Sequence, residues 1–337
     1  MPRWDLDHLP ARLPTPDLSD GRILRRVAGI RPYRRGSYRL EYERVGTKHV
    51  VHNYGHGGAG FTLSWGAAEL AVDRLEAAVG PAGAGNTGRA AVLGGGVIGL
   101  STARVLQERG WRVAVYAEHF ATQTTSNRAG AQFAPSAVAA TDKTELADML
   151  RRAAVRFGLL AMQNVGVGAR LNYTTPRGGG ALSALPSDFL PSRTLARLPF
   201  AGVEQPGRVH ATYLIEPPRY LPWLIGEVRR AGGRTATRRF ADAAEAMRVP
   251  ERSVINCLGL GAGAVFNDPR MQPIRGQLIH LEPQDLPYML SHRGYLFPRS
   301  DGVVLGGSYE RGQTEAVTTD RVCSRILRRH RAFFGVG

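Results

Sequence analysis

Short continuous apolar runs, separated by glycine turns, fill the middle of the chain. Residues 90–93 and 113–116 are runs of strand length with no polar alternation, the pattern of strands buried on both faces. Between them a helical pattern runs to Arg109 and stops at Gly110. Helical spacing returns over residues 141–168 (Leu146, Leu150, Ala154, Phe157, Leu160, Met162), over 220–230 before Gly232-Gly233, and over 323–331. Residues 209–215, 234–240, 253–257, 275–281, 295–298 and 303–305 read as strands, and 171–199 as short strands and turns. Ahead of the central runs, 22–28 is a short strand, and 39–45 alternates Leu40 and Tyr42 with polar residues like an edge strand. Residues 67–77 form a helix with Leu70 and Leu75 apolar, and the Gly/Ala-rich stretch 78–88 is a linker. Proline-punctuated residues 1–18 read as an irregular or mobile arm. Strands and helices alternate less regularly after residue 170, which predicts a parallel α/β unit joined to a more antiparallel sheet.

The central runs enclose a motif. Gly94, Gly96 and Gly99 stand in G-x-G-x-x-G spacing between a strand and a helix, and the second strand ends near Glu118. This is the context that gives the spacing meaning as a dinucleotide fingerprint. Gly94 allows the tight turn, Gly96 lets the backbone approach a pyrophosphate, and Gly99 lets the helix pack on the strand. The helix start at Val97 and Ile98 offers free N–H groups to phosphate, and Glu118 would accept from a ribose hydroxyl. The motif alone does not choose NAD over FAD.

A second glycine loop precedes it. Four of the six residues 55–60 are glycine, between a His/Tyr-rich run and the 67–77 helix. Such a loop brings backbone close to something flat or charged and can aim a helix N-terminus at an anion. A flexible loop is the plainer alternative. Arg31, wedged between Ile30 and Pro32, is biased to extended geometry.

Composition narrows the function classes. The chain has 337 residues, 43% of them hydrophobic, ample for a large core. No apolar run reaches the roughly 20 residues of a membrane span, and the N-terminus lacks a signal-peptide core, so a cytoplasmic protein without a membrane is expected. Cys257 and Cys323 make no disulfide framework and no metal cluster. The net charge is +16, with lysine only at positions 48 and 143. The arginine pairs are scattered and carry no nucleic-acid signature, so no nucleic-acid partner is expected. The charge would attract anionic substrates.

The segment HNYGHGGAGFTLSWG resembles the C-terminal signature of the D-amino acid oxidase family, flavoenzymes of the glutathione-reductase-like FAD superfamily. GIRPYRRGSYRLEYE, AAVLGGGVIGLSTARVL, RAGAQFAPS, YLIEPPRYLPWL, VINCLGLGAG, QPIRGQLIHL and YLFPRSDGVVLGG resemble further family segments, so the resemblance spans most of the chain. Their order is shuffled: the family's closing portion, about residues 21–75, comes first here, and 78–88 joins it to the FAD strand. The resemblance therefore implies an α/β fold in circularly permuted order: a Rossmann-like FAD-binding domain plus a mixed or antiparallel-sheet substrate domain. The expected boundaries are 50–141 with 208–265 for the FAD domain, and 20–49, 142–207 and 266–337 for the substrate domain.

The resemblance also implies roles. Arg31 stands where the family places its substrate-carboxylate arginine, a bidentate and permanently charged clamp. Tyr295 matches an active-site tyrosine near the same carboxylate, and Gly58 a glycine whose carbonyl receives the substrate amine. Gly57, Gly60, Phe61 and Thr62 belong to the loop over the flavin pyrimidine edge, with Thr62 bonding a ring carbonyl. Gly130 and Ala131 match the loop near the isoalloxazine, and Phe240 touches adenine by its backbone. The implied activity is FAD-dependent oxidative deamination of a D-amino acid, with hydride transfer to flavin N5 giving an imine, then a 2-oxo acid and ammonia, and with oxygen giving hydrogen peroxide. Orientation and electrostatics suffice for such a step. Related amine oxidation (glycine, sarcosine, D-aspartate or a biosynthetic amino acid), perhaps with another acceptor, or a non-catalytic flavin-binding protein, are the alternatives. A homodimer is compatible with the resemblance. Three departures stand out: a short segment between Gln277 and Tyr295, where Ser291 or His292 falls near the place of a lid tyrosine; Gly312-Gln313-Thr314 in place of a GNW motif; and Ser126-Asn127-Arg128 in the flavin loop.

Overall fold

The apolar runs of the centre lie side by side in a six-stranded sheet, and most later strands build a second sheet of nine. The computed structural model describes residue 2 and residues 4–336. In chain order the strands are β1 (Ile23–Arg34), β2 (Arg39–Val45), β3 (Lys48–Tyr54), β4 (Arg89–Gly95), β5 (Arg112–Phe120), β6 (Val167–Thr174), β7 (Ser192–Leu195), β8 (Gly207–Ile215), β9 (Arg234–Thr237), β10 (Ser253–Asn256), β11 (Met271–Leu281), β12 (Tyr288–Ser291), β13 (Tyr295–Arg299), β14 (Gly302–Gly306) and β15 (Glu310–Arg311). The helices are α1 (Gly60–Val79), α2 (Val97–Glu108), α3 (Lys143–Leu160), α4 (Pro217–Arg230), α5 (Ala243–Ala246), α6 (Gly261–Val265) and α7 (Asp320–Phe334).

The smaller sheet has the order β2-β3-β10-β4-β5-β9. All neighbours are parallel except the β2–β3 hairpin at one edge. Ala90, Ala91, Val92 and Leu93 are fully buried at its centre, as a continuous apolar run requires. The larger sheet runs β1-β11-β14-β13-β12-β6-β8-β7, with β15 on β11, and is antiparallel except for β12 beside β6. The expected pairing of a parallel unit with a mainly antiparallel sheet is thus what the chain builds.

Several boundaries differ from expectation, each for a physical reason. β1 runs on from the expected short strand through Arg34, because Pro32 faces Pro273 on β11, at a pair position where the ladder asks neither for an N–H. α1 begins at Gly60, seven residues before the expected start at 67. Its Phe61, Leu63 and Trp65 are buried, and Gly66 lets α3 approach so closely that a Cβ there would lie 2.1 Å from the Met149 carbonyl oxygen. Packing overrides the low helix propensity of glycine. α3 stops at Leu160 rather than 168, where Asn164 and Gly166 turn left-handed (φ 53° and 83°) and lead into β6. β9 is shorter than its predicted span.

Sheet membership also departs from the expected domain ranges at two places. β2, expected with the substrate domain, sits in the six-stranded sheet because its hairpin with β3 carries it there. β8, expected with the FAD domain, pairs along its length with β6 in the larger sheet. The arm is irregular but docked rather than free: Leu13 and Leu18 are buried, the Leu13 N–H donates to the Pro199 carbonyl at 2.7 Å, and Trp4 packs 5.9 Å from the Tyr213 ring. The linker after α1 is an ordered turn in which Asn86 bonds the backbone of Val79, Pro81, Gly83 and Gly88.

Burial pushes the imidazoles of His56, His210 and His280 down to about 4 from an ordinary 6.5, so each stays neutral in the fold. Above pH ~6.5 they are neutral whether folded or unfolded and stability is unaffected. As pH falls from there toward 4 the unfolded chain takes up protons that the fold refuses, at about 1.4 kcal/mol per unit for each histidine. Thermal melts should therefore show the melting temperature dropping steeply across that interval, and a flat profile would contradict the buried neutral state.

Candidate active site

A single cavity lies where the N-termini of α1 and α2 face the inner wall of the larger sheet. Arg31, Gly57, Gly58, Gly60, Phe61, Val97, Ile98, Gly130, Ala131 and Tyr295 all line it, and no Asp, Glu or Lys does. Ten of the sixteen expected site residues, drawn from segments far apart in the chain, therefore meet around one space.

Arg31 projects from β1. It pairs with Ile274 on β11, and its side chain reaches across to Gly276, where a Cβ would lie 2.4 Å from Arg31 Nη2, so the guanidinium rests flat on a bare backbone. Nη1 donates to the Ser308 carbonyl at 3.3 Å, and the Tyr309 ring lies 5.9 Å away. Among the described residues no carboxylate pairs with this guanidinium, although most half-buried arginines here have an acid partner. Tyr295 on β13 is packed between glycines: a Cβ on Gly306 would stand 2.0 Å, and one on Gly130 2.8 Å, from its ring. Its ring stacks on Phe297 at 4.4 Å. Burial pushes the phenol up, opposed in part by the Arg31 charge, so Tyr295 is a neutral hydrogen-bond donor beside a cation.

The glycine loop approaches the same point from the other lobe. Gly57 is left-handed (φ 59°), and a Cβ there would lie 2.0 Å from the Ala137 carbonyl oxygen. Gly58 donates its N–H to that carbonyl at 3.2 Å, and a Cβ on it would lie 3.3 Å from Arg31 Cδ. Gly58 and Arg31 are thus in contact, as a carboxylate clamp and an amine acceptor on one substrate would need to be.

The fingerprint glycines shape the backbone without lining the cavity. Gly94 has φ 123° and would place a Cβ 2.3 Å from the Cys257 carbonyl, while a Cβ on Gly99 would meet the Gly94 carbonyl at 2.0 Å. These are the tight turn and the close helix–strand packing expected of them. At Gly96 only the Ser126 and Thr124 hydroxyls are near, and the Ser126 hydroxyl accepts the Val97 N–H at 3.2 Å. Glu118 lies at the C-terminal end of β5 with its carboxylate exposed and His119 4.0 Å away. Phe240 leaves the same end of the parallel sheet, just past β9, with its side chain buried and the Arg238 guanidinium 5.1 Å over its ring. The Thr62 hydroxyl donates to the Ala134 carbonyl at 2.8 Å and accepts the Ala134 N–H at 3.0 Å, so it ties α1 to the 132–134 loop.

An extended polar ligand fits this space. Two helix N-termini open on it without a side-chain N-cap of their own. Asn53 and His56 line it, and Asn53 Oδ1 and His56 Nε2 are buried without partners. Polar lining residues outside the expected set include His56, Gln132 and Arg128. Arg128 and Gln132 sit in the segment after β5 that begins with the Ser126-Asn127-Arg128 departure, where only the fold shows which residues reach the cavity.

A family model described as FAD dependent oxidoreductase (DAO) matches residues 6–74 and 89–336. A D-amino-acid oxidase of Streptomyces coelicolor is 30% identical over 261 residues, covering 72% of this chain and 76% of that protein. A D-aspartate oxidase of Homo sapiens is 27% identical over 242 residues, covering 67% and 70%. Among solved structures, the iminodiacetate oxidase of Chelativorans sp. BNC1 matches with a TM-score of 0.56 at 15% identity over 73% of this chain and 79% of its own, a likeness of fold.

The bare backbone under Arg31 is testable by itself. Gly276→Ala should push the guanidinium aside, since the clashing atoms end a flexible side chain. Affinity for small carboxylates should fall about tenfold or more, with the melting temperature little changed. Unchanged carboxylate affinity would show that the guanidinium is not held by this contact.

Proposed function

The chain belongs to the FAD dependent oxidoreductase (DAO) family, and on that premise we propose that it oxidatively deaminates D-amino acids to 2-oxo acids, ammonia and hydrogen peroxide. The observation that carries the reading is Arg31, a cation without a counter-ion in a cavity that holds no carboxylate. Such a group lacks its partner until an anion arrives, and a planar guanidinium matches a carboxylate in two parallel hydrogen bonds. Tyr295 would donate to the same carboxylate. The Gly58 carbonyl, beside Arg31, would accept from the neutral amine. Held at both ends, the amino acid has its Cα–H directed at one face of the cofactor, and proximity of this kind supplies much of the catalysis. A bound flavin would supply the two-electron acceptor for the Cα hydride, with oxygen as the final acceptor. The imine so released takes up water and loses ammonia.

For FAD itself, the helix start at Val97 and Ile98 would face the pyrophosphate, with Gly94, Gly96 and Gly99 shaping the turn. Glu118 would hold the ribose and the backbone near Phe240 the adenine. Gly57, Gly60, Phe61, Gly130 and Ala131 would surround the ring, with the N-terminal dipole of α1 favouring negative charge there. The six-stranded sheet is the cofactor lobe in this reading, and the nine-stranded sheet the substrate lobe.

We further propose that the chain is a circular permutant of its family's order. Two observations support this. The family model matches in two blocks that break at 75–88, the turn between α1 and β4. And α7 lies against the segment leading into β1: the Arg331 guanidinium donates to the Leu18 carbonyl at 2.8 Å and to Asp20 at 3.1 Å, so segments that the family order would join directly are neighbours. Reordering the chain to begin at Arg89 and end at Val79, with α7 linked to β1, should give a folded protein that binds FAD; a reordered chain that fails to fold or stays colourless would argue against the permutation.

The direct test of the activity is peroxide release from the purified yellow protein against D- and L-amino acids, glycine and sarcosine. Turnover with D-isomers is expected. Arg31→Ala should lower kcat/KM by at least about a hundredfold while flavin stays bound; loss of flavin instead would sink the role given to Arg31.

A further inference from the structure

The wall of the larger sheet that faces the cavity is polar where a buried sheet face is ordinarily apolar. Asn172, Thr174, His210, Thr212 and Ser291 are all buried on it. Asn172 and His210 are register partners on β6 and β8, so their side chains share this face, and Thr174 and Thr212 follow by the two-residue period. The opposite face carries Tyr173, Val209 and Leu290 in an apolar cluster, as alternation requires. The polar strip lies behind Gln132, which does line the cavity.

The strip fixes Gln132 in one orientation. Asn172 Nδ2 donates to Gln132 Oε1 at 2.5 Å and to Ser291 Oγ at 3.0 Å, which uses both amide hydrogens on acceptors. With its oxygen turned back to Asn172, the Gln132 amide presents its NH2 to the cavity. The backbone is tied down as well: Gln132 forms a bridge with Leu214 on β8. The apolar sides of the chamber are Leu278 and Phe297, next to Tyr295.

Resting on the reading of this cavity as an amino-acid site, we propose that Gln132 is a specificity-determining residue that selects side chains ending in a neutral oxygen acceptor, a carboxamide above all, with Asn172 and Ser291 as the residues that position it. Arg31 is committed to the α-carboxylate. The groups bonded to or beside Gln132 are an amide, a hydroxyl and a histidine that burial holds neutral, while the second guanidinium lining the cavity, Arg128, packs against Gly29 on β1. An apolar side chain of the same size would instead leave the buried NH2 unpaired, which is the strong form of discrimination.

The test compares D-asparagine with the near-isosteric D-leucine, and D-glutamine with D-methionine. Each pair is read as a ratio, so a general loss of activity in a variant cancels. Anaerobic titration of the flavin spectrum gives both readouts: bleaching reports oxidation, and perturbation without bleaching reports binding alone. The wild type should favour the oxygen-bearing member of each pair roughly three- to tenfold, the span of one net hydrogen bond. Gln132→Leu should bring the ratio to one or below. Asn172→Asp, whose side chain only accepts, should turn the Gln132 amide over and also remove the preference. No preference in the wild type, an unchanged ratio in Gln132→Leu, or a preference for D-aspartate over D-asparagine would overturn the assignment. Binding with the expected ratio but no bleaching would instead overturn the proposed reaction and leave the selector standing.

Discussion

An arginine without a counter-ion organises the cavity. A guanidinium removed from bulk water and left unpaired costs stability, and the fold accepts that cost at Arg31 while pairing buried or half-buried arginines elsewhere, as Arg34 with Asp268 and Arg275 with Glu310. The surroundings keep the charge in place. Gly276 gives it a flat seat, the Ser308 carbonyl takes one N–H, and Tyr295 stands beside it as a neutral donor. Replacing any of these by an acid would pair Arg31 internally and remove the reason for an anion to enter.

Glycine supplies the other constraint, through close approach more than through flexibility. Around the six-stranded sheet backbone presses on backbone: Gly57 on Ala137, Gly94 on Cys257, Gly99 on Gly94. At each a single methyl group would overlap a carbonyl that cannot swing away. These contacts fix the glycine turns that lead into α1 and α2. The geometry of the cavity is therefore written in the absence of side chains, and its chemistry in the few polar ones that remain.

This division explains how much could be read in advance. The central strands, the G-x-G-x-x-G turn and the second glycine loop were legible because each is local: a run of apolar residues, a spacing, a composition. Arg31 was legible as extended by Pro32, and its place on the cavity wall by resemblance. The start of α1 was not, because glycines at 60 and 66 argue against a helix until α3 is known to lie on Gly66. The partner of the Thr62 hydroxyl was out of reach for a similar reason: the 132–134 loop lies against it and satisfies it. Gln132 was out of reach altogether, since its orientation depends on Asn172, 40 residues away in sequence, and on Ser291, a further 119.

The polar strip makes the same point about function. A sheet face covered by another lobe gains most from apolar side chains, so a row of Asn, His, Thr and Ser there needs a compensating use. Part of it is satisfied internally, as Thr212 donates to the Phe133 carbonyl and Asn172 bonds Gln132 and Ser291. Part is not: Asn172 Oδ1 and His210 Nε2, on directly opposed residues, are buried without a partner. The floor is hard to alter piecemeal, since replacing one polar member strands the partner it satisfies. In the proposed reading, selection by Gln132 then depends on a supporting layer behind it, and the Arg31 clamp carries only the part of recognition common to every amino acid.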